Sequence, residues 1–321
     1  MTYNKSMARL VADIGGTNAR FALAIGDANQ FTQIKSVRTA DYPSFVLAAR
    51  EYLQSVGAPK IQDASIAVAT VVNGDQVKMT NCPWEFSIEA VRKELVLTSL
   101  RVLNDFEALA LSLPLIPKNE LEKIGGGEAM EHAPIALLGA GTGLGVAGLI
   151  YAGRRWIAQP GEGGHASMCA ANSREEDVIA FTRRQYAHVS AERLLSGMGL
   201  QNIYHAVASL AGEEPQALEP SFITQEALRG GDKFCVETVE IFCAMLGSFA
   251  GNLALTLGAR GGVYIGGGIV PKLGDYFARS PFRARFESKG RFSSYLAPIP
   301  TYVIHTESPA LLGAASALEM P

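Results

Sequence analysis

A turn rich in glycine and threonine, flanked by two apolar segments, occurs twice in this chain. The first copy covers residues 9–23 (RLVADIGGTNARFAL) and the second covers residues 134–149 (PIALLGAGTGLGVAGL), so that Gly15 aligns with Gly141 in strand register. Each copy predicts a β-hairpin. A turn with so few Cβ atoms lets backbone N–H groups approach an anion closely. Turn geometry alone also explains a glycine-rich hairpin, but the repetition favours two phosphate-binding turns on two domains.

The length of the chain favours two domains. At 321 residues it exceeds what one hydrophobic core usually serves. Predicted strands alternate with predicted helices throughout, which is typical of an α/β fold. We expect a small α/β domain formed by residues 1–112 plus 305–321 and a large α/β domain formed by residues 113–304.

Composition and charge exclude several classes of protein. The net charge of −3 gives no basic surface for nucleic acid or an anionic membrane. No apolar run is expected to span a bilayer, and Met1 to Met7 lacks the apolar core of a signal peptide. The four cysteines are scattered without a C-x-x-C pair, so we expect reduced thiols in a cytoplasmic protein.

Several connecting segments bear on the candidate site. Residues 80–86 are predicted to form a loop with an exposed aromatic side chain, Trp84. Residues 118–131 are polar and glycine-rich, which indicates a crossover between the domains, and residues 159–165 (QPGEGGH) contain too much glycine for a regular element. Ser190 is predicted to cap a short helix over residues 191–195, with Gly197 ending it.

Two common nucleotide-binding motifs do not apply. No G-x-x-x-x-G-K-[ST] sequence occurs, so the P-loop class is excluded at the level of the motif. A G-x-G-x-x-G pattern occurs at Gly143, Gly145 and Gly148, but the segment that follows is predicted to be a strand. The dinucleotide-binding motif requires a helix there, which argues against a nicotinamide-dependent oxidoreductase.

Asp105 has two interpretations of equal weight. It follows a predicted strand and precedes a predicted helix, where aspartate commonly caps the helix. The same position lies at the carboxyl edge of a sheet, where α/β proteins bind ligands. A helix N-terminus favours the ionised carboxylate, so Asp105 also suits a base that orients a substrate hydroxyl in phosphoryl transfer. Asn104 beside it is a candidate ligand for another hydroxyl.

A second set of polar residues suits a polyol. Glu162 and His165 lie in the glycine-rich segment, and a carboxylate accepts hydrogen bonds from neighbouring hydroxyls. A zinc site would need more cysteine or histidine ligands nearby than Cys169 alone. Glu192 is placed in the first turn of its predicted helix, where a role in stabilising the helix dipole is just as natural.

Taken together, these motifs resemble the bacterial ATP-dependent glucokinases of the proteobacterial type. They occur in order as DIGGT from Asp13, LND ending at Asp105, GAGTGLG from Gly139, EGGH from Glu162, SAER from Ser190 and GGVYIGGG ending at Gly268. The resemblance covers essentially the whole chain. It implies a two-lobed, actin-like (ribonuclease H-like) hexokinase-type α/β fold with a cleft between a small and a large domain. The implied reaction converts ATP and D-glucose to ADP and glucose 6-phosphate with Mg²⁺, the first step of glycolysis.

The resemblance also implies roles for individual residues. Asp105 is the implied catalytic base, and a metal-bound water is implied beside Asp13. The implied ligands of the sugar are Asn104, Asp105, Glu162, His165, Glu192 and, in a nearby loop, Asn81. The implied nucleotide-binding residues are Ala12, Asp13, Ile14, Gly15, Gly16 and Thr17 in the first turn, Gly139, Gly141, Thr142 and Gly143 in the second, and Gly266 and Gly267 near the adenosine.

Two departures and several alternatives accompany the resemblance. Ala12 stands where the family often has glycine, which should leave the turn intact. The C-x-C-G-x-x-G-C zinc motif of the related repressor–kinase group is absent, so no structural zinc is expected. The family suggests a homodimer. A sugar-sensing regulator without turnover remains an alternative, as do mannose or glucosamine as the sugar and polyphosphate as the donor.

Overall fold

The structure is a computed structural model that describes residues 8–26 and 30–319. The segment Met1 to Met7, which is predicted to lack the apolar core of a signal peptide, lies outside the described residues. Contacts within the chain divide it into two compact units. Unit 1 comprises Met1–Pro117 and Thr306–Pro321, and unit 2 comprises Lys118–His305.

Unit 1 is built on a five-stranded sheet with the order β3-β2-β1-β4-β7. Its strands are β1 (Arg9–Ile14), β2 (Asn18–Ala24), β3 (Phe31–Arg38), β4 (Asp63–Val68) and β7 (Ser99–Asn104), and a small hairpin pairs β5 (Gln76–Lys78) with β6 (Glu85–Ser87). Its helices are α1 (Phe45–Ser55), α2 (Ile88–Glu94), α3 (Asp105–Ser112) and α12 (Pro309–Ala317). As predicted, Ser87 caps α2 by accepting a hydrogen bond from the Ala90 N–H at 3.0 Å.

Strand β1 is buried on both faces, which explains its nearly continuous apolar sequence. Side chains alternate along a strand, so Leu10, Ala12 and Ile14 join a core cluster that contains α1. Val11 points the other way and packs in a second cluster with Leu311 of α12. The sheet of unit 1 therefore lies between two layers of helices.

Unit 2 is built on a six-stranded sheet with the order β11-β10-β9-β12-β13-β8. Its strands are β8 (Leu121–Gly125), β9 (Ile135–Ala140), β10 (Leu144–Ala152), β11 (Arg155–Gly161), β12 (Val263–Gly266) and β13 (Thr301–Ile304). Its helices are α4 (Ser173–Thr182), α5 (Gly197–Leu210), α6 (Pro220–Arg229), α7 (Lys233–Leu257), α8 (Val270–Leu273), α9 (Asp275–Arg279), α10 (Phe282–Glu287) and α11 (Ser293–Leu296).

The two sheets repeat one topology. In each, three antiparallel strands are followed by two strands parallel to the first: β1 pairs in parallel with β4, and β9 pairs in parallel with β12. The hairpins differ by one residue in register, because Ile14 pairs with Ala19 whereas Ala140 pairs with Leu144. The second turn is therefore one residue shorter than the first. The alignment of the two copies predicted from sequence holds for β1 and β9, but it is wrong by one residue for β2 and β10.

The predicted crossover over residues 118–131 begins where unit 1 ends and unit 2 starts, and it contains β8, which pairs with β13. Two other predictions about connecting segments in unit 2 are wrong. Residues 159–161 complete β11 instead of beginning a loop. Gly197 begins α5 and does not end a helix, because Ser196 accepts a hydrogen bond from the Gly199 N–H at 3.1 Å and caps the new helix. In each case long-range pairing or capping overrides the local glycine signal.

The expectation that no segment is long enough to span a bilayer also needs correction. Among the described helices, α7 alone has the length and hydropathy to do so. Most of α7 is buried inside the protein, and Val239, Phe242 and Leu246 are fully inaccessible. A helix that is apolar nearly all round is expected at the centre of a large α/β core, and α7 occupies such a position in unit 2.

Helices α3 and α12 pack so closely that Gly313 has no room for a side chain. A Cβ atom at this position would overlap the carbonyl oxygen of Ala108. We therefore expect Gly313→Ala to lower the free energy of unfolding by about 3 kcal/mol, because the helices must separate. Denaturant unfolding measures the change. The matched control is Ser316→Ala, a partly exposed position on the same helix, and an equal loss in both variants would contradict the packing explanation.

Candidate functional site

The candidate site in unit 1 lies where three parallel strands end. Strands β1, β4 and β7 are in register at Ile14, Val68 and Asn104, the last residue of each strand. The carboxyl ends of parallel strands meet at one edge of a sheet, so the glycine turn after β1 and Asp105 after β7 share that edge. The Asn104 side chain links β7 to the segment after β4, donating from Nδ2 to the Thr70 carbonyl at 3.1 Å.

Asn104 caps α3, which corrects the view of Asp105 as the capping residue. The Asn104 Oδ1 accepts hydrogen bonds from the N–H groups of Phe106 at 2.9 Å and Glu107 at 3.4 Å. Asp105 is the first residue of the helix, and its Oδ1 also accepts from the Phe106 N–H at 2.9 Å. Both polar ends of the Asn104 side chain are thus engaged within unit 1. The carboxylate of Asp105 lies at the positive end of the helix dipole.

The turn after β1 is fixed by backbone and side-chain hydrogen bonds. Gly15 N–H donates to the Asn18 carbonyl at 2.9 Å, which closes the turn. Thr39 Oγ1 donates to the Gly16 carbonyl at 2.9 Å, and Thr39 N–H donates to the Thr17 carbonyl at 2.9 Å. With its carbonyls occupied in this way, the turn is held in one conformation. Thr39 is not identifiable as a site residue from sequence, because its role depends on pairing between β2 and β3.

Asn81 lies directly against this turn. A Cβ atom on Gly16 would come within 2.6 Å of the Asn81 Cβ, so the close approach requires glycine. The loop that carries Asn81 is anchored by Trp84, which is 1% exposed and donates from Nε1 to the Tyr42 carbonyl at 2.8 Å. The prediction of an exposed aromatic was therefore wrong. Trp84 is a core residue that presents Asn81 to the turn.

Asp13 is the acidic residue closest in sequence to the turn of β1. It lies on the same face of β1 as Val11, and it pairs across the hairpin with Arg20. Arg20 also donates from Nη1 to the Ser308 Oγ at 2.6 Å, beside the start of α12. Burial raises the pKa of the Asp13 carboxyl above its usual range, and the positive charge of Arg20 opposes this effect only in part.

The raised pKa predicts how Asp13 affects stability. The folded protein holds the Asp13 proton more tightly than the unfolded chain, so stability falls as the pH rises from the unfolded pKa, near 4, through the folded pKa. We expect Asp13→Asn to unfold at a higher temperature than the wild type at pH 7, with no gain at about pH 3. Thermal unfolding at both values measures this. The exposed Asp41 gives the control Asp41→Asn, and a gain that is independent of pH would contradict the charge explanation.

A second glycine-rich site forms in unit 2 at the ends of β9 and β12. Gly139 pairs with Gly266 in parallel register, so the segments that follow both strands share one sheet edge. The turn over residues 141–143 is closed by a hydrogen bond from the Gly141 N–H to the Gly143 carbonyl at 2.9 Å. Gly267 has a φ of +81°, and a Cβ atom there would overlap the Ala140 carbonyl. The structure thus brings the predicted second turn next to the predicted adenosine segment.

Glu192 contacts this turn directly. Its Oε2 accepts a hydrogen bond from the Leu144 N–H at 2.9 Å, and a Cβ atom on Gly143 would lie 2.5 Å from the same oxygen. No helix forms over residues 191–195, so the predicted dipole role of Glu192 is wrong. The backbone instead turns so that the Glu192 N–H donates to the Gly164 carbonyl at 2.9 Å.

Glu162, His165 and Glu192 form one polar cluster in unit 2. His165 Nε2 lies 3.7 Å from the Glu162 Oε2, and His165 Nδ1 lies 4.0 Å from the Glu192 Oε1. The side chains of Glu162 and His165 are 59% and 61% exposed, whereas that of Glu192 is 23% exposed. Two carboxylates around an imidazole provide both acceptors and a donor, the set that vicinal hydroxyls require.

Gly197 is a supporting residue of the second turn that sequence reasoning misplaced. Its N–H group donates to the Gly141 carbonyl at 2.8 Å. Ser196 followed by the apolar periodicity of α5 was the available signal for a helix start here. In the part of the chain that the structure describes, no group of three or more histidine, cysteine or acidic side chains is arranged to hold a metal ion.

Comparison with known proteins gives consistent similarities. The family model described as Glucokinase matches residues 10–320. A glucokinase from Chromobacterium violaceum is 52% identical over 310 residues, which cover 97% of this chain and 89% of that protein. A bifunctional protein from Burkholderia pseudomallei is 51% identical over 97% of this chain, but the match spans 48% of that longer protein. The crystal structure of a glucokinase from an Antarctic psychrotroph superposes with a TM-score of 0.90 at 36% identity, covering 97% of this chain and 98% of that one.

Proposed function

Because the chain belongs to the glucokinase family, we propose that it transfers the γ-phosphoryl group of ATP to the 6-hydroxyl of D-glucose. The products are D-glucose 6-phosphate and ADP. The observation that carries this proposal is the arrangement in unit 1, where the carboxylate of Asp105 and the glycine turn after β1 share one sheet edge. An acceptor-positioning carboxylate and a phosphate-binding turn are the minimum that phosphoryl transfer requires.

Asp105 is the proposed catalytic base. Its carboxylate would accept the proton of the sugar 6-hydroxyl as the oxygen attacks phosphorus. The base in phosphoryl transfer mainly orients the nucleophile, so a weakly basic carboxylate is sufficient. The hydrogen bond from the Phe106 N–H holds the carboxylate in one orientation, which reduces the entropy lost when the hydroxyl binds.

The remaining polar residues are the proposed ligands of the sugar. Glu162, His165 and Glu192 in unit 2 supply the acceptors and donors for ring hydroxyls. Asn81 is proposed to lie near the sugar because it packs against the turn at Gly16. Asn104 already accepts two hydrogen bonds at Oδ1 in capping α3 and donates once from Nδ2 to Thr70, so its proposed contact with a hydroxyl uses the second N–H of Nδ2.

The nucleotide is proposed to bind through both glycine turns. Residues 12–17 and residues 139–143 would direct backbone N–H groups at its phosphates, with Gly266 and Gly267 near the adenosine. Mg²⁺ is commonly held by one or two carboxylates together with phosphates and water, and the partly buried Asp13 fits that requirement. When bound, the ion would neutralise charge on the phosphates. Asp13 would orient a water of its hydration shell.

Three further parts of the proposal concern the whole protein. We propose two functional domains formed by residues 1–112 plus 305–321 and by residues 113–304. We also propose a cytoplasmic location and a homodimeric assembly, both by analogy with the family. Sedimentation equilibrium of the purified chain tests the assembly, because a monomeric mass at micromolar concentration would contradict it.

A coupled assay for ADP release tests the proposed reaction. With ATP and Mg²⁺ present, we expect D-glucose to be turned over with a higher kcat/KM than mannose or glucosamine. Replacing ATP with polyphosphate tests the donor in the same format. Saturable glucose binding without ADP release would contradict the enzyme and favour the sugar-sensing alternative.

A further inference from the structure

Unit 2 contains a cavity beside the polar cluster of Glu162, His165 and Glu192. Its volume is about 350 Å³, within the range of small-molecule sites. The side chains that line it are almost all polar, and they include His165, Tyr186, His188, Ser190, Glu192 and Arg193. Because His165 and Glu192 belong to both features, the cavity adjoins the proposed sugar ligands.

Arg193 has no acidic partner among the described residues, whereas four other arginines of unit 2 (Arg174, Arg229, Arg283 and Arg285) pair with a glutamate. Its guanidinium stacks 4.1 Å from the ring centroid of Tyr186, and Nη1 donates to the Met198 Sδ at 3.3 Å. Among the described residues, no carboxylate lies within 4.0 Å of it, whereas Arg285 pairs with Glu175 at 2.6 Å. A thioether is a weak acceptor. The planar guanidinium therefore lines the cavity with donors that no strong acceptor satisfies.

The other donors of the cavity are compatible with an anion. The Nε2 of His188 lies 3.0 Å from the Ser167 Oγ, so the other ring nitrogen, Nδ1, remains for a ligand. The single carboxylate in the lining is Glu192, and its Oε2 already accepts from the Leu144 N–H. Repulsion from Glu192 would direct an anion toward His188 and Arg193. The rigid donor fork of arginine matches phosphate oxygens.

We propose that this cavity is a binding site for a phosphate group, supplied by inorganic phosphate or by a small phosphate monoester. The site is separate from the two glycine turns that hold the nucleotide in the proposed function, and its existence does not depend on that function. If the proposed function holds, a bound anion lies against His165 and Glu192 and weakens the binding of glucose.

Isothermal titration of the full chain tests the site without nucleotide or sugar. The probes are orthophosphate and glycerol phosphate, which has no hexose ring and so does not report on the sugar ligands. We expect saturable binding of one probe per chain for at least one of them. Tighter binding of glycerol phosphate identifies a monoester as the ligand, and equal or tighter binding of orthophosphate identifies the free anion.

Substitutions locate the bound anion. Arg193→Gln should weaken binding by about tenfold and His188→Gln by about threefold. The matched control is Arg184→Gln, because Arg184 also stacks on an aromatic ring, at 5.1 Å from the Phe181 centroid, but does not line the cavity.

Thermal unfolding verifies that each variant is folded. If Arg193→Gln does not fold, the affinity of His188→Gln for the probe decides the result. Absence of binding at about 10 mM probe, or equal affinity in Arg193→Gln and wild type, overturns the proposal. Phosphorylation of glucose is assayed separately, so failure of either proposal is recognised independently.

Discussion

Asp105→Asn is expected to lower kcat for glucose phosphorylation by about 10³-fold, with a change of less than about fivefold in the KM for glucose. The amide cannot accept the proton of the 6-hydroxyl, but it keeps the shape of the side chain. Its oxygen still accepts from the Phe106 N–H, and Asn104 still caps α3. Steady-state kinetics with the coupled ADP assay measure both parameters.

Glu107→Gln provides the control for Asp105→Asn. Glu107 lies in the first turn of the same helix, and burial raises the pKa of its carboxyl. It has no proposed contact with substrate, so its kcat should remain within about twofold of wild type. Near-normal kcat in Asp105→Asn would remove Asp105 from the role of base. An equally large loss in Glu107→Gln would assign the effect to the helix N-terminus as a whole.

Glu192→Ala is expected to raise the KM for glucose by about 100-fold, with a smaller effect on kcat. Hydrogen bonds to a charged group contribute about 1.5–3 kcal/mol each, and their loss leaves sugar hydroxyls unpaired. The substitution also removes the acceptor of the Leu144 N–H, so the free energy of unfolding should fall by about 1–3 kcal/mol.

A second variant separates sugar binding from the support of the turn. Glu192→Gln keeps an oxygen for the Leu144 N–H and loses only the charge, so we expect the KM for glucose to rise about tenfold with little change in the KM for ATP. The exposed Glu176 on α4 supplies the control Glu176→Ala, for which both constants should be unchanged. Unchanged affinity for glucose in both Glu192 variants would leave Glu192 with a purely structural role at Gly143.

The local sequence was sufficient to predict many elements and several site features. Hairpins β1–β2 and β9–β10, helix α7 and the cap at Ser87 were all predicted, because each depends on periodicity or turn chemistry within a short segment. The approach of Asp105 to the first glycine turn was also foreseeable. A strand that ends at a helix start in an α/β chain places that residue at the carboxyl edge of the sheet.

The features that sequence reasoning got wrong depend on partners distant in the chain. Trp84 was expected to be exposed, but Tyr42 and the core around α1 bury it. Gly197 was expected to end a helix, but Ser196 caps a new one there. In both cases a local signal was compatible with two outcomes, and packing selected one of them.

The sequence by itself determined that this chain has two glycine turns on repeated hairpins, an α/β fold and a carboxylate at a strand end, because backbone preferences and side-chain periodicity act over a few residues. Only the tertiary structure decided that Glu192 accepts from Leu144 beside Gly143, that the two hairpins differ by one residue in register, and that Arg193, which has no acidic partner in the described part of the chain, lines a cavity. These features arise from contacts between segments far apart in the chain, whose energies no local pattern encodes.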